Sequence, residues 1–384
     1  MKTFSLSLTF AVALSLLFSC KQKPAIEIRE SDFLNKSEIT VQGIPANVEM
    51  PLSVFGMEHI DSLFIVIAED PKGYVFVYSE NWQLLDVFSG KGRARNEFLQ
   101  RPIVNKTQVF KGADGHILLP LSDMRANVIK LMDITESMAN HRAIITDIRD
   151  YEFEEETTIV DNINKTETRL MSDFSFLFLD DNIYHTLEIT RADFYEILNN
   201  PIQYRIRHDT TLIEKPEVLS RMEQFVGPDY KNEFIRTAYR HPKRNLIIEP
   251  YMERDYIGFL DLDNNRTYFI HQADSHTFKD EVEIPRQSDG EFFYAQPEWV
   301  CFTSALPTEE FFMAFYYGKY GVSPVTPDLM FFDWNGNFIK SVKLSIYTRN
   351  NVYNPNTKTL YGIEVQSEED KLISFDLSSV IDWL

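Results

Sequence analysis

Cysteine is nearly missing from this chain. Of 384 residues only Cys20 and Cys301 carry a thiol, and Cys20 ends a leader-like segment, so no disulfide framework can form. Cys301, within Trp299-Val300-Cys301-Phe302, reads as a small buried strand residue, with a reactive thiol as the other reading. Basic charge is also scarce: 38 Lys and Arg against 58 Asp and Glu give a formal charge of −20. A surface this acidic repels phosphate backbones, which disfavours nucleic acid as a partner. At 44% hydrophobic and 14% aromatic residues, nothing resembles a low-complexity tract. Motifs that carry chemistry are absent too: no His-Glu-x-x-His, Gly-x-Ser-x-Gly, Walker loop or paired Cys-x-x-Cys occurs. The histidines, including His59, His116, His185, His241 and His271, lack metal-ligand spacing and read as surface or satisfied strand residues. The acidic run Glu152 to Glu156 reads as a solvated loop.

What the chain does have is a repeated strand–turn–strand grammar. Residues 328–342, DLMFFDWNGNFIKSV, hold an apolar run, a turn at Asn335-Gly336-Asn337 and a second strand from Phe338. Asn and Gly accept positive φ cheaply, so this reads as a hairpin. Units of the same kind start at 63, 116, 182, 245, 311 and 359, a spacing of about 59 residues, longer than common propeller repeats. Each has room for one more strand upstream, for example Phe176 to Leu179 and Glu298 to Phe302. Four strands per unit is what a propeller blade needs. The sixth unit runs out of chain after Leu377, so residues 39–44, ITVQGI, are expected to supply its missing outer strand and remove two exposed edges. The expected fold is therefore all-β: a six-bladed β-propeller over 37–384, with four-stranded antiparallel blades and an N-terminal strand closing the last blade. Two smaller β-domains are the alternative.

Residues 1–19, with Lys2 ahead of an apolar stretch from Phe4 to Phe18, are built like an export signal and are short for a membrane span. Leu17-Phe18-Ser19-Cys20 resembles the lipobox of bacterial lipoproteins, in which cleavage leaves an acylated Cys20 followed by a tether to residue 36; an ordinary secretory signal is the other reading. Several acyl chains anchor a protein stably where one does not. Lys21-Gln22-Lys23, with no Asp after the cysteine, is similar to the sorting pattern of periplasm-facing outer-membrane lipoproteins.

With the lipobox, Lys91-Gly92-Arg93-Ala94-Arg95-Asn96-Glu97-Phe98, Phe332-Asp333-Trp334-Asn335-Gly336, Leu360-Tyr361 and Phe375-Asp376-Leu377, the chain resembles the six-bladed, TolB-like propeller lipoproteins of Bacteroides-type bacteria. The segment from Lys91 is similar to the Gly-Arg-Gly-Pro-Gly-Glu-Phe turn of that group, with Ala94, Arg95 and Asn96 where Gly, Pro and Gly are usual. The resemblance implies fold and location and transfers no catalytic residue. The expectation is a lipid-anchored monomeric module binding or scaffolding an envelope protein or glycan, with no cofactor. The alternative is a lactonase-type hydrolase holding a divalent cation at the channel mouth with carboxylates and Asn. Three or more inward carboxylates or Asn from different blades, with metal-dependent heat stabilisation, would favour the enzyme.

Overall fold

The computed structural model describes residues 27–33, 39–103, 109–123, 125–126, 128–150, 158–161, 166–169, 175–179, 182–186, 203–206, 209–212, 239–244, 246–251, 255–261, 264, 266–272, 299–320, 326–365 and 370–382. The leader, Cys20, the Glu152–Glu156 run and the Glu298 start of one expected strand lie outside them.

The described chain is an all-β propeller whose strands follow the sequence's apolar runs. Three short N-terminal strands come first: β1 (Glu27–Ser31), β2 (Thr40–Val41) and β3 (Gly43–Pro45). Blade 1 is an antiparallel meander of Val54–Ile60, Leu63–Asp70, Gly73–Ser79 and Leu84–Phe88. Blade 2 follows with Phe110–Lys111, Ile117–Asp123, Val128–Asp133 and Ile145–Asp150. Blade 3 holds Tyr239–Arg240, Leu246–Pro250, Tyr256–Asp261 and Arg266–Gln272. Blade 4 holds Trp299–Pro307, Phe311–Tyr320, Asp328–Asp333 and Phe338–Leu344. Blade 5 is Thr348–Asn354, Thr359–Glu364 and Leu372–Asp376, with β3 as its fourth strand.

The expected six four-stranded blades are corrected to five four-stranded blades among the described residues. Core clusters tie blade 2 to blade 1, blade 1 to blade 5, blade 5 to blade 4 and blade 4 to blade 3. The unit expected at 182–213 instead gives a separate four-stranded sheet of Ser175–Leu179, Asn182–Thr186, Gln203–Ile206 and Asp209–Leu212. Turn grammar specifies that strands pair; it does not specify that the sheet has two apolar faces to pack. Here the last two strands, QYRI and DTTL, alternate with polar residues, unlike FFMAF in blade 4.

The N-terminal segment also departs from expectation. Gly43–Pro45 does pair with the last blade, Phe375 opposite Gly43. Thr40–Val41, however, lies parallel against Lys343 and Leu344 of blade 4. Glu27–Ser31, within the expected tether, lies parallel against Tyr268 to Gln272 of blade 3. Strands β1, β2 and β3 thus cover the outer edges of three blades, which protects unpaired strand edges.

One hairpin shows why these residues form these elements. Asp333 Oδ1 accepts from the backbone N–H of Asn335 at 2.9 Å and of Asn337 at 2.8 Å. Gly336 takes φ +83°, and a Cβ there would meet Ile270 of blade 3 at 2.8 Å. The turn therefore requires glycine both for its dihedral and for close blade packing. Between the last two strands of blade 2, Asp133 caps a short helix, α1 (Ile134–Asn140), by accepting from Glu136 N.

Candidate functional site

The first strands of neighbouring blades meet at the centre, Thr348–Asn354 against Val54–Ile60 most extensively. Their starts gather on one face, the upper face, with the turns between second and third strands. Their ends gather on the lower face, with the turns between first and second strands.

On the lower face, polar side chains join blades to one another. Asn354, fully buried, donates its Nδ2 to Glu80 Oε1 at 3.3 Å. Asn356 Nδ2 donates to Glu80 Oε1 and to the Asp61 carbonyl, both at 3.1 Å. These amide bonds hold the Glu80 carboxyl below its ordinary range. Lys111 of blade 2 pairs with Asp61 at 2.8 Å. Burial pushes the nearby His59 imidazole down to about 4, against the pull of Glu80 and Asp61. This resembles the Asn and carboxylate density a cation site needs, but the amides turn their N–H groups to the acid. The Asn354 oxygen is occupied by the backbone N–H groups of Asn356 and Thr357. A hard cation needs those oxygens. Among the described residues no group of three or more His, Cys, Asp or Glu side chains is placed to hold a metal ion.

The upper face is built differently. The first strands of three adjacent blades each break register near their start: blade 1 at Phe55, blade 5 at Asn350-Asn351, and blade 4 on either side of Phe302. A bulge re-aims a side chain out of the ladder. In blade 1 it presents Phe55, 39% exposed, with the Arg101 guanidinium 3.3 Å above the ring centroid. Leu52, at 64%, is the neighbouring exposed apolar residue. Blade 5 fixes this bulge by gripping both polar atoms of the Val54 backbone. Asn350 Nδ2 donates to Val54 O, and Asp370 Oδ2 accepts from Val54 N, each at 2.8 Å. Asp370 Oδ1 also takes Arg349 Nη2 at 2.9 Å. Ser53 and Asn350 sit at φ +49° and +51°, left-handed conformations that cost energy and persist where surroundings enforce them.

Beside Phe55 lies the loop from Lys91 to Phe98. Phe98 is fully buried in the core shared by blades 1 and 2. Phe98 N donates to Gly90 O and Gly92 N to Phe98 O, closing the loop on itself. Glu97 Oε2 accepts from Ala94 N at 2.9 Å, so the loop's one carboxylate is spent on its own backbone. Lys130 of blade 2 donates to the Glu97 carbonyl and lies 4.7 Å over the Phe98 ring. Its amine is 3.9 Å from fully buried Asp123, which accepts from Leu99 N. Burial pulls the Lys130 amine below its ordinary range, opposed by Asp123 and Glu97. Glu69, Asp70, Lys72, Tyr74 and Lys91 line a pocket of 390 Å³ at this edge.

Of the residues read from the sequence, Cys301 is fully buried in blade 4. His116 bonds Asp133 at 2.7 Å, which draws its imidazole upward. His241 accepts the backbone N–H groups of Lys243 and Arg244. His59, His116 and His241 therefore sit apart and share no centre, while Cys20 and the side chain of His185 lie outside the description. Phe55, Arg101 and Asn350 were not anticipated. Gly56 within an apolar strand and the Asn350-Asn351 pair within another are the sequence signals that mark both bulges.

No family model and no curated protein matches the chain. Solved structures do. A member of the DUF4221 family from Bacteroides vulgatus superposes with TM-score 0.52 at 9% identity, covering 88% of this chain and 98% of that one. A protein of Bacteroides fragilis named as a candidate exported protein gives 0.47 at 7%, covering 91% and 99%. Virginiamycin B lyase from Staphylococcus aureus gives 0.46 at 10%, covering 88% and 100%. At such identities the first of these supports the propeller fold and nothing finer.

Proposed function

We propose that this chain is a lipid-anchored module of the bacterial cell envelope that binds a protein or glycan partner through the upper mouth of its propeller. The observation that carries this is Phe55, pushed out of the ladder by an enforced bulge and stacked by Arg101. Exposed aromatic and Arg side chains on a rigid frame are what interfaces are enriched in. Sites on propellers form where residues distant in sequence converge at one mouth, and Leu52, Phe55, Arg101 and Arg349 converge so.

Anchoring at Cys20 and export by residues 1–19 rest on the leader's composition. The direction of β1 supports the combination. Running parallel to the fourth strand of blade 3, β1 starts at the lower face, so an anchor ahead of it leaves the upper mouth free. Outer-membrane residence facing the periplasm, as a monomer, completes the reading.

The test is affinity capture from the native envelope with the anchored protein, beside a glycan array. A specific partner that Phe55→Ala and Arg101→Ala each release supports the proposal. Capture and array signals that both variants retain would remove the mouth from the binding role. A Cys20→Ser protein that still fractionates with membranes would remove the lipid anchor.

A further inference from the structure

The loop from Lys91 to Phe98 runs against the charge of the whole chain. In a protein of net charge −20, it presents Lys91, Arg93 and Arg95 at alternate positions, all exposed. Lys72, also exposed, joins Lys91 at the rim of the 390 Å³ pocket. Arg125 adds a further exposed cation from the corresponding turn of blade 2. Three acids of this edge are engaged: Glu97 takes Ala94 N, Asp70 takes the N–H groups of Leu52 and Lys72, and Asp370 takes Val54 N and Arg349, which leaves exposed Glu69 at the pocket rim against the cations of Lys72, Lys91, Arg93 and Arg95. The lower face carries Asp61, paired with Lys111, Glu80, which holds the Asn354 and Asn356 amides, and exposed Glu310.

The loop is also pre-organised. Its root is held by buried Phe98 and by Lys130, so the backbone that displays its cations is ordered before binding and only side-chain ordering remains to be met. Arg95 stands where the resembling group has proline, and adds one of the three charges.

We propose that Lys91, Arg93 and Arg95, with Lys72, form a docking surface for an acidic segment of a protein partner. This rests on the binding reading above and names the partner's chemistry. Charge complementarity sets the sign, since clustered cations meeting a negative segment raise on-rate and specificity. The apolar Leu52 and Phe55 alongside favour a polypeptide over a polyanionic glycan, because apolar side chains beside Arg belong to protein interfaces.

The probe is a labelled dodecapeptide of glutamate with leucine at every fourth position, titrated into the full chain by fluorescence anisotropy. Binding is expected to weaken about tenfold or more as salt is raised from about 0.05 to 0.3 M, by screening. The Arg93→Glu/Arg95→Glu protein is expected to lose about tenfold in affinity, while Lys243→Glu on the lower face keeps it. Thermal melts of both variants separate lost docking from lost folding. No peptide binding by the wild type, equal binding by the loop variant, or tighter binding of polygalacturonate than of the peptide would each overturn the assignment. Envelope capture unaffected by the loop variant yet lost with Phe55→Ala would sink this inference and leave the mouth-binding proposal standing.

Discussion

Asn350 Nδ2 reaches across the seam between the last blade and the first and donates to the carbonyl of Val54 at 2.8 Å, from a left-handed backbone at φ +51°. Both features follow from asparagine, which tolerates that conformation better than other non-glycine residues and carries the donor. Asn350→Gly keeps the dihedral and loses the bond. Asn350→Ala loses both. Urea unfolding should rank wild type above Gly above Ala, with Ala costing about 1–2 kcal/mol. Equal stability of all three would show that the bulge does not depend on this contact.

Gly336 offers a sharper contrast within blade 4. Its φ of +83° and the 2.8 Å approach of Ile270 leave no room for a methyl group. Gly336→Ala should destabilise by about 1–3 kcal/mol. Asp333→Ala removes only the side-chain acceptor for Asn335 and Asn337, so about 1 kcal/mol is expected. Thermal unfolding of the two variants measures the difference.

Burial holds both His59 and His241 at about 4, below the ordinary 6.5. Between those values the unfolded chain takes up protons that the folded chain refuses, so stability rises with pH across the window and is lost as pH falls from 6.5 towards 4. His116, drawn upward by Asp133, works in the opposite sense: its contribution is present below 6.5 and fades as pH rises through its folded value. His59→Phe removes one acid-sensitive group, and its ring has Phe64 to pack on, centroids now 4.8 Å apart. Urea midpoints between pH 4.5 and 7 should vary less in this variant than in the wild type. An unchanged slope would place the acid sensitivity elsewhere.

The hairpins of this fold are readable because turn residues act locally: Asn335-Gly336-Asn337 announces its own dihedral. The same local grammar at 182–213 correctly implies strands but overstates the blade count, because packing into a ring depends on both faces of a sheet and on its neighbours. Residues 27–31 look polar and tether-like since an edge strand needs only backbone partners, here Tyr268 to Gln272. The candidate site is the least legible part. Val54, beside Phe55, meets Asn350 and Asp370 across some 300 positions of sequence, and only Gly56 and the doubled Asn hint that either strand is bulged.

Lys130 anchors the cationic loop, so its replacement should act at a distance from the change. Lys130→Met keeps an unbranched apolar stem against Phe98 but leaves the Glu97 carbonyl and buried Asp123 without the amine. A buried carboxylate deprived of its cation costs several kcal/mol in the strongest cases, and about 1–3 kcal/mol where one hydrogen-bond partner is lost. The loop should loosen before the blades do. Limited trypsin digestion should therefore cut after Arg93 or Arg95 faster in the variant than in the wild type, at a temperature where both stay folded. Equal cleavage rates would mean that Phe98 alone holds the loop.

Under the proposed lipid anchor, orientation on a membrane would follow from where β1 begins. Glu27 is seven residues beyond Cys20, a contour of at most about 25 Å, and it lies at the lower end of the outer edge of blade 3. A first strand of seven residues such as Val54–Ile60 spans about 23 Å, so the upper mouth would stand roughly that much farther from the proposed anchor than the lower face. Energy transfer to a bilayer dye can compare two labels on the lipidated protein in vesicles. Asn264→Cys marks the lower turn of blade 3 and Lys72→Cys the upper edge of blade 1; both positions are exposed, whereas Cys301 is buried and should stay unlabelled. Transfer should be stronger from position 264. Equal or stronger transfer from position 72 would turn the mouth towards the membrane, and protein that fails to float with the vesicles would remove the anchor itself.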